Sequence, residues 1–170
     1  MKQTVNGKSS DGVNIFKVLI SDHDKHRALL KKIEAAVKGG DITSRQRLFE
    51  DFALEAKAHA AAEEQALYGM MMSRPDLTDK ARHSVSEHKE IEDLINEMAE
   101  LDAASEGWVK KFKALNHEYI HHIDEEEEEI FPAAEEELSA KEEAQMGKVF
   151  KDRKPQEKDA ATVGEADDDD

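Results

Sequence analysis

The chain has 170 residues, the length of a single domain, with 38% hydrophobic, 38% charged and only 5% aromatic residues, a balance that suits helices and disfavours a sheet. A formal net charge of −16 excludes a protein that wraps nucleic acid or rests on an anionic membrane, and it points to cations as partners. Cysteine is absent, so disulfides, thiolate zinc sites and iron–sulfur clusters are excluded, and any metal must be held by nitrogen and oxygen. The first twenty residues carry no apolar stretch of signal-peptide length and no segment approaches a membrane span, so a cytoplasmic location is expected.

Residues 1–12 read as a flexible N-terminus, and punctuation then divides the chain into four helix-sized blocks. The first runs from about Val13 to Lys38 and stops at Gly39-Gly40, a natural helix end. The second starts at Thr43, where Thr-Ser-Arg-Gln has capping-box spacing, and continues to about Met72 before Ser-Arg-Pro breaks it. A third opens after Thr78 and fades near Asp102. The fourth begins after Ser105 and passes Ile130, with Pro132 kinking or ending it.

Each block carries one inward stripe at helical spacing, and a histidine interrupts every stripe. The stripes are Phe16, Leu19, His23, His26, Leu30, Ile33 and Val37; Leu48, Phe52, Glu55 or Ala56, His59, Glu63, Ala66 and Met70; Ala81, Val85, His88, Ile91, Ile95 and Met98; and Phe112, Leu115, Tyr119, His122, Glu126 and Ile130. Short connections between the blocks predict an all-α fold, an up-down-up-down antiparallel four-helix bundle over residues 13–146. From residue 147 the pattern dissolves into proline, mixed charges and a terminal acidic run, a composition expected to remain a disordered, charged tail to residue 170.

The chain also repeats itself weakly. S-D-H-D at 21–24 resembles S-E-H-K at 86–89, and His59 to Tyr68 resembles His122 to Phe131, at offsets of 65 and 63 residues. In antiparallel hairpins with about 1.5 Å of rise per residue, His23 and His59 fall at the same depth. His88 and His122 match each other in the second hairpin within a residue or two. Glu63 and Glu126 each follow a histidine by four and so share its face. Four imidazoles and two carboxylates in an apolar interior need partners, and a pair of divalent or trivalent cations would ligate them. Imidazole with carboxylate suits iron or manganese, with zinc an alternative.

Within the acidic run Asp124–Glu129, only Glu126 is expected inside, with Asp124, Glu125 and Glu128 on the solvated face. Glu127 and its repeat counterpart Glu64 are candidates to hold the ligands from behind. His26 is either a further nitrogen or a satisfied core histidine, while His83, His117 and His121 lie off the inner faces. The run Met70-Met71-Met72 reads as soft core packing at a helix end.

His23, H59-x-x-x-E63, His88 and H122-x-x-x-E126 on four antiparallel helices resemble the hemerythrin-like (HHE) family over about residues 13–145. The segments A-H-A-A-A-E-E-x-x-L-Y and H-H-x-x-E-E-E-x-x-I-F-P look very like bacterial members. The resemblance implies a non-haem centre of two iron ions, with His23, His59, His88 and His122 as terminal ligands, Glu63 and Glu126 as bridges, and O2 or another small diatomic or peroxide as ligand. Two positions depart from the oxygen carriers. Ser84 stands where their third helix has a histidine, and Glu126 follows His122 by four, where they end in H-x-x-x-x-D.

Three functions are expected from these residues. The first is a protein that binds or senses O2, redox state or iron. The second is an oxidoreductase consuming peroxide or nitric oxide at the metal pair, and the third a structural module in which the histidines only pack. No further catalytic motif accompanies the histidines, which ranks binding ahead of catalysis.

Overall fold

The structure is a computed structural model, and it describes residues 14–167, with side chains described to residue 161. The flexible N-terminus expected over 1–12 and the last three acids of the tail lie outside the described residues.

Among the described residues every regular element is a helix. The first, α1, is Ile15–Lys38. Asn14 caps it, its side-chain oxygen accepting from the Phe16 and Lys17 amides at 3.0 and 3.2 Å. The turn after it needs a left-handed residue, and Gly40 supplies it at φ 70°. Next comes α2, Ile42–Glu63, which opens slightly earlier than the Thr43 capping box predicts. The cap is Asp41, whose carboxylate accepts from the Ser44 amide at 3.0 Å.

Helix α2 runs without a break through one π-helical turn, Glu64–Tyr68, into the short α3, Gly69–Met72. After the Arg74-Pro75 interruption, α4 spans Thr78–Ala99. Ser105 caps α5, Glu106–Glu125, its hydroxyl accepting from the Trp108 amide at 3.1 Å. A second π-helical turn, Glu126–Ile130, leads into α6, Phe131–Glu137, with Pro132 in its first turn. The last helix, α7, is Ala140–Asp167.

The helices bury two separate apolar clusters. One gathers Ile15, Phe16, Leu19, Leu67, Tyr68, Phe131 and Phe150; the other gathers Leu30, Ile33, Phe52, Ile95, Trp108, Phe112 and Leu115. All these side chains are at most 5% exposed. Between the two clusters lie His23, His26, His59, Glu63, His88, His122 and Glu126, all buried. The predicted inward stripes are therefore the buried ones. Val37, Leu48, Met70 and Val85 sit only partly inside, and Phe49 takes the core place beside Leu48.

The disordered tail expected from residue 147 is corrected by α7, which packs along α1 and α2. Phe150 is 1% exposed and Met146 8% exposed, one helical turn apart. Polar contacts add to this anchor: Asn14 donates to Glu143 at 2.8 Å, and Lys154 and Lys158 reach Glu55 at 2.8 Å each. A composition argument averages over the segment and so misses one apolar turn and ion pairs whose partners lie about a hundred residues away. No helix among the described residues is long and apolar enough to cross a membrane.

Candidate metal centre

Each of the four striped histidines is held from behind by a carboxylate. The Nδ1 atoms of His23, His59, His88 and His122 lie 2.7, 3.0, 2.8 and 2.8 Å from Glu127, Asp22, Glu64 and Glu87. A carboxylate only accepts, so each ring donates Nδ1–H. That tautomer leaves Nε2 as the free nitrogen, turned toward Glu63 and Glu126.

The inner contacts form a pattern. His23 Nε2 is 3.1 Å from Glu126 Oε1, and His88 Nε2 is 3.1 Å from Glu63 Oε1. His59 Nε2 stands 3.7 Å from Glu63 and His122 Nε2 3.4 Å from Glu126. Despite this crowding, His23 Nε2, His59 Nε2, both oxygens of Glu63 and Glu126 Oε1 are buried without a hydrogen bond. Buried lone pairs facing one another are costly unless a proton or a cation lies between them. Two groups of four could each hold a metal ion: His23, His59, Glu63 and Glu126, and Glu63, His88, His122 and Glu126. They share the same two carboxylates, so a pair of cations bridged by Glu63 and Glu126 fits this donor set.

The electrostatics of the metal-free chain point the same way. Burial and the neighbouring Glu126 push Glu63 well above the usual carboxylate range. Burial opposes ionisation of Glu126 too, but His122 and His23 hold it well below that range. One of the two carboxyls thus keeps a proton where a cation would otherwise sit. Burial disfavours a charged His23, yet Glu126 and Glu127 outweigh it and raise its pKa to about 9. Burial lowers His59 to about 3.

These shifts give a signed prediction for the metal-free chain. A histidine raised from 6.5 to about 9 contributes stability that is complete below pH 6.5 and lost as pH climbs through about 9. The unfolding free energy read from urea titrations should therefore fall across that window, by on the order of 3 kcal/mol at most, and His23→Gln should flatten the fall. His59, lowered, acts in the opposite sense and costs stability as pH drops below 6.5.

One π-helical turn begins directly after Glu63 and the other at Glu126 itself. The Gly69 amide donates to Glu64 O and the Phe131 amide to Glu126 O, each spanning five residues instead of four. The widened turns re-aim the side chains that come after them, a recurring device at functional sites. Tyr68, at the end of the first, turns its hydroxyl onto Glu126 Oε2.

The six expected ligands, His23, His59, Glu63, His88, His122 and Glu126, are thus brought together, and Glu64 and Glu127 stand behind them as expected. The sequence reading missed Asp22, Glu87, Tyr68 and Lys154. The first two had a signal, since the S-D-H and S-E-H repeats place a carboxylate one residue before each histidine. His26 lies beside them: its Nδ1 is 2.6 Å from the Tyr119 hydroxyl and its Nε2 3.8 Å from Glu55, and with Asp22 and His59 it forms a third, smaller group that could hold a cation. His83, His117 and His121 are all exposed, away from the buried histidine–carboxylate layer. Glu128 and Glu129 are exposed as well, whereas Asp124 pairs with Arg27 at 2.9 Å and Glu125 meets His83 at 2.7 Å.

The small residues Ala56 and Ala60 of α2 leave a narrow cleft toward α4, which reaches His59, His88, His122 and Tyr119 and carries the exposed Glu92 on its lining.

Fold and site together define a helical protein whose buried histidine–carboxylate layer could hold cations. The chain belongs to the hemerythrin HHE cation-binding domain family, whose model matches residues 14–134. No curated protein and no solved structure matches it.

Proposed function

We propose that α1, α2, α4 and α5 form an up-down-up-down bundle around two iron ions and that the protein binds or senses O2, redox state or iron itself. His23 and His59 would hold one ion, His88 and His122 the other, and Glu63 and Glu126 would serve both. The observation that carries this reading is that two potential cation groups share the same pair of buried carboxylates. When bound, an iron pair supplies redox chemistry and open coordination positions for small ligands.

The chain's own groups do the rest. The outer carboxylates keep each Nε2 facing inward, and the two apolar clusters exclude bulk water from above and below. Tyr68 donates to Glu126 and fixes the orientation of one bridge. The cleft between α2 and α4 offers a route for a small ligand.

Metal analysis with absorption spectra of anaerobic, aerobic and azide-treated protein tests the proposal. Two irons per chain and charge-transfer bands that respond to azide are expected, and both disappear in His59→Ala. Less than one iron per chain with no response to O2 would overturn it, and a spectrally silent zinc site would redirect it.

A second reading, consumption of peroxide or nitric oxide, has one observation in its favour. Ser84 is fully buried and its hydroxyl has no hydrogen-bond partner, so a nitrogen present in the oxygen carriers has no substitute at that position. Steady-state peroxide turnover that survives removal of loosely bound iron and vanishes in His59→Ala would favour this reading. Stoichiometric oxidation alone would not.

A further inference from the structure

The repeat makes the two halves of the site equivalent in their ligands, but they differ in what stands behind them. Asp22 and Glu87 occupy matching places, one residue before His23 and His88, and they receive Nδ1–H of His59 and His122. Behind Asp22 lies α7, beyond the end of the family match at residue 134. Lys154 donates from Nζ to Asp22 Oδ2 at 2.7 Å and approaches Glu55 Oε2 at 2.8 Å, and its side chain is 16% exposed. One turn earlier on α7, the Phe150 ring meets His59 edge to face at 5.4 Å between centroids. Behind Glu87 stands His83, 52% exposed and 3.2 Å away. Both histidines of the second half line the α2–α4 cleft, against one of the first.

A partly buried ammonium bonded to a buried carboxylate restricts that carboxylate to one orientation, and the imidazole bonded to it is restrained in turn. Burial alone would drive Lys154 toward its neutral form, but Asp22 and Glu55 hold it charged. Removing the ammonium leaves Asp22 buried without its cation, free to turn away from His59.

We propose that Lys154 is a positioning residue that locks His59 through Asp22, so that a cation held by His23 and His59 leaves more slowly than one held by His88 and His122. The inference rests on the two-cation reading above. It makes α7 part of the site, although the family match ends before that helix begins.

The test uses the full chain loaded anaerobically with ferrous iron and mixed with a ferrous chelator, with release monitored by absorbance. Wild type should release its iron in two phases of equal amplitude. In Lys154→Met the slow phase should accelerate by about ten- to a hundredfold with the fast phase unchanged, and Lys154→Arg should restore part of the difference. Lys158→Met, which removes a lysine reaching Glu55 but not Asp22, should leave both phases as they are.

A second readout needs no metal. In the metal-free chain the His59 Nδ1 proton should be protected from solvent exchange in wild type and exposed in Lys154→Met, with circular dichroism reporting that the helices are retained. If wild type holds two irons and Lys154→Met releases both at wild-type rates with the His59 proton still protected, the role of Lys154 is refuted and the two-cation reading stands. If wild type holds no iron, the two-cation reading falls and takes the inference with it.

Discussion

Glu126→Ala should strip the chain of both cations, whereas Glu128→Ala, two residues along the same acidic run, should leave binding unchanged. Glu126 is fully buried, 3.1 Å from His23 and 3.4 Å from His122, and it belongs to both potential cation groups. Glu128 is exposed. Residues that only orient a ligand from behind are worth about 10–100-fold in metal affinity, so loss of a shared carboxylate should exceed a hundredfold. Isothermal titration with ferrous iron reads the difference, and circular dichroism separates a lost site from a lost fold. Wild-type stoichiometry in Glu126→Ala would end its assignment as a bridge.

Stripping the metal should lower the thermal midpoint by roughly 10–30 °C. A cation present at about 100–1,000 times its dissociation constant contributes about 3–4 kcal/mol to the native state, and two would act together in the proposed centre. In a domain of this size each kcal/mol moves the midpoint by about 2–4 °C. Removal also restores mutual repulsion between Glu63 and Glu126 inside the apolar interior, relieved only in part by a proton on Glu63. Calorimetry before and after chelation, with readdition of iron, measures the effect. A shift of no more than a degree or two would instead support the reading in which the histidines merely pack.

The polar layer was legible because helix geometry is regular. A histidine interrupting each stripe, and a carboxylate four residues after two of them, place groups on known faces at known heights, so His23, His59, Glu63, His88, His122 and Glu126 could be named from spacing. The same rule set His121 apart from His122, and Glu128 from Glu126. Capping was less legible: Asp41 and Thr43 both suit a helix start, and only the path of the chain out of Gly40 selects Asp41.

The partners of groups that act across helices were not legible, even where the repeat marks the group itself. Asp22 and Glu87 face sideways from their own helices, and their bonds to His59 and His122 depend on which helix lies beside which. The π-helical turns that bring Tyr68 onto Glu126 leave no mark in local composition.

By itself the sequence determined a helical chain with a buried histidine–carboxylate layer, because both arise from periodicities of one residue against its near neighbours. Only the tertiary structure decided that α7 covers the His59 side, through Phe150 and Lys154, and that the two halves of the site therefore differ. Those contacts join residues about ninety to a hundred and thirty positions apart, and they depend on the relative placement of whole helices, which local spacing does not encode.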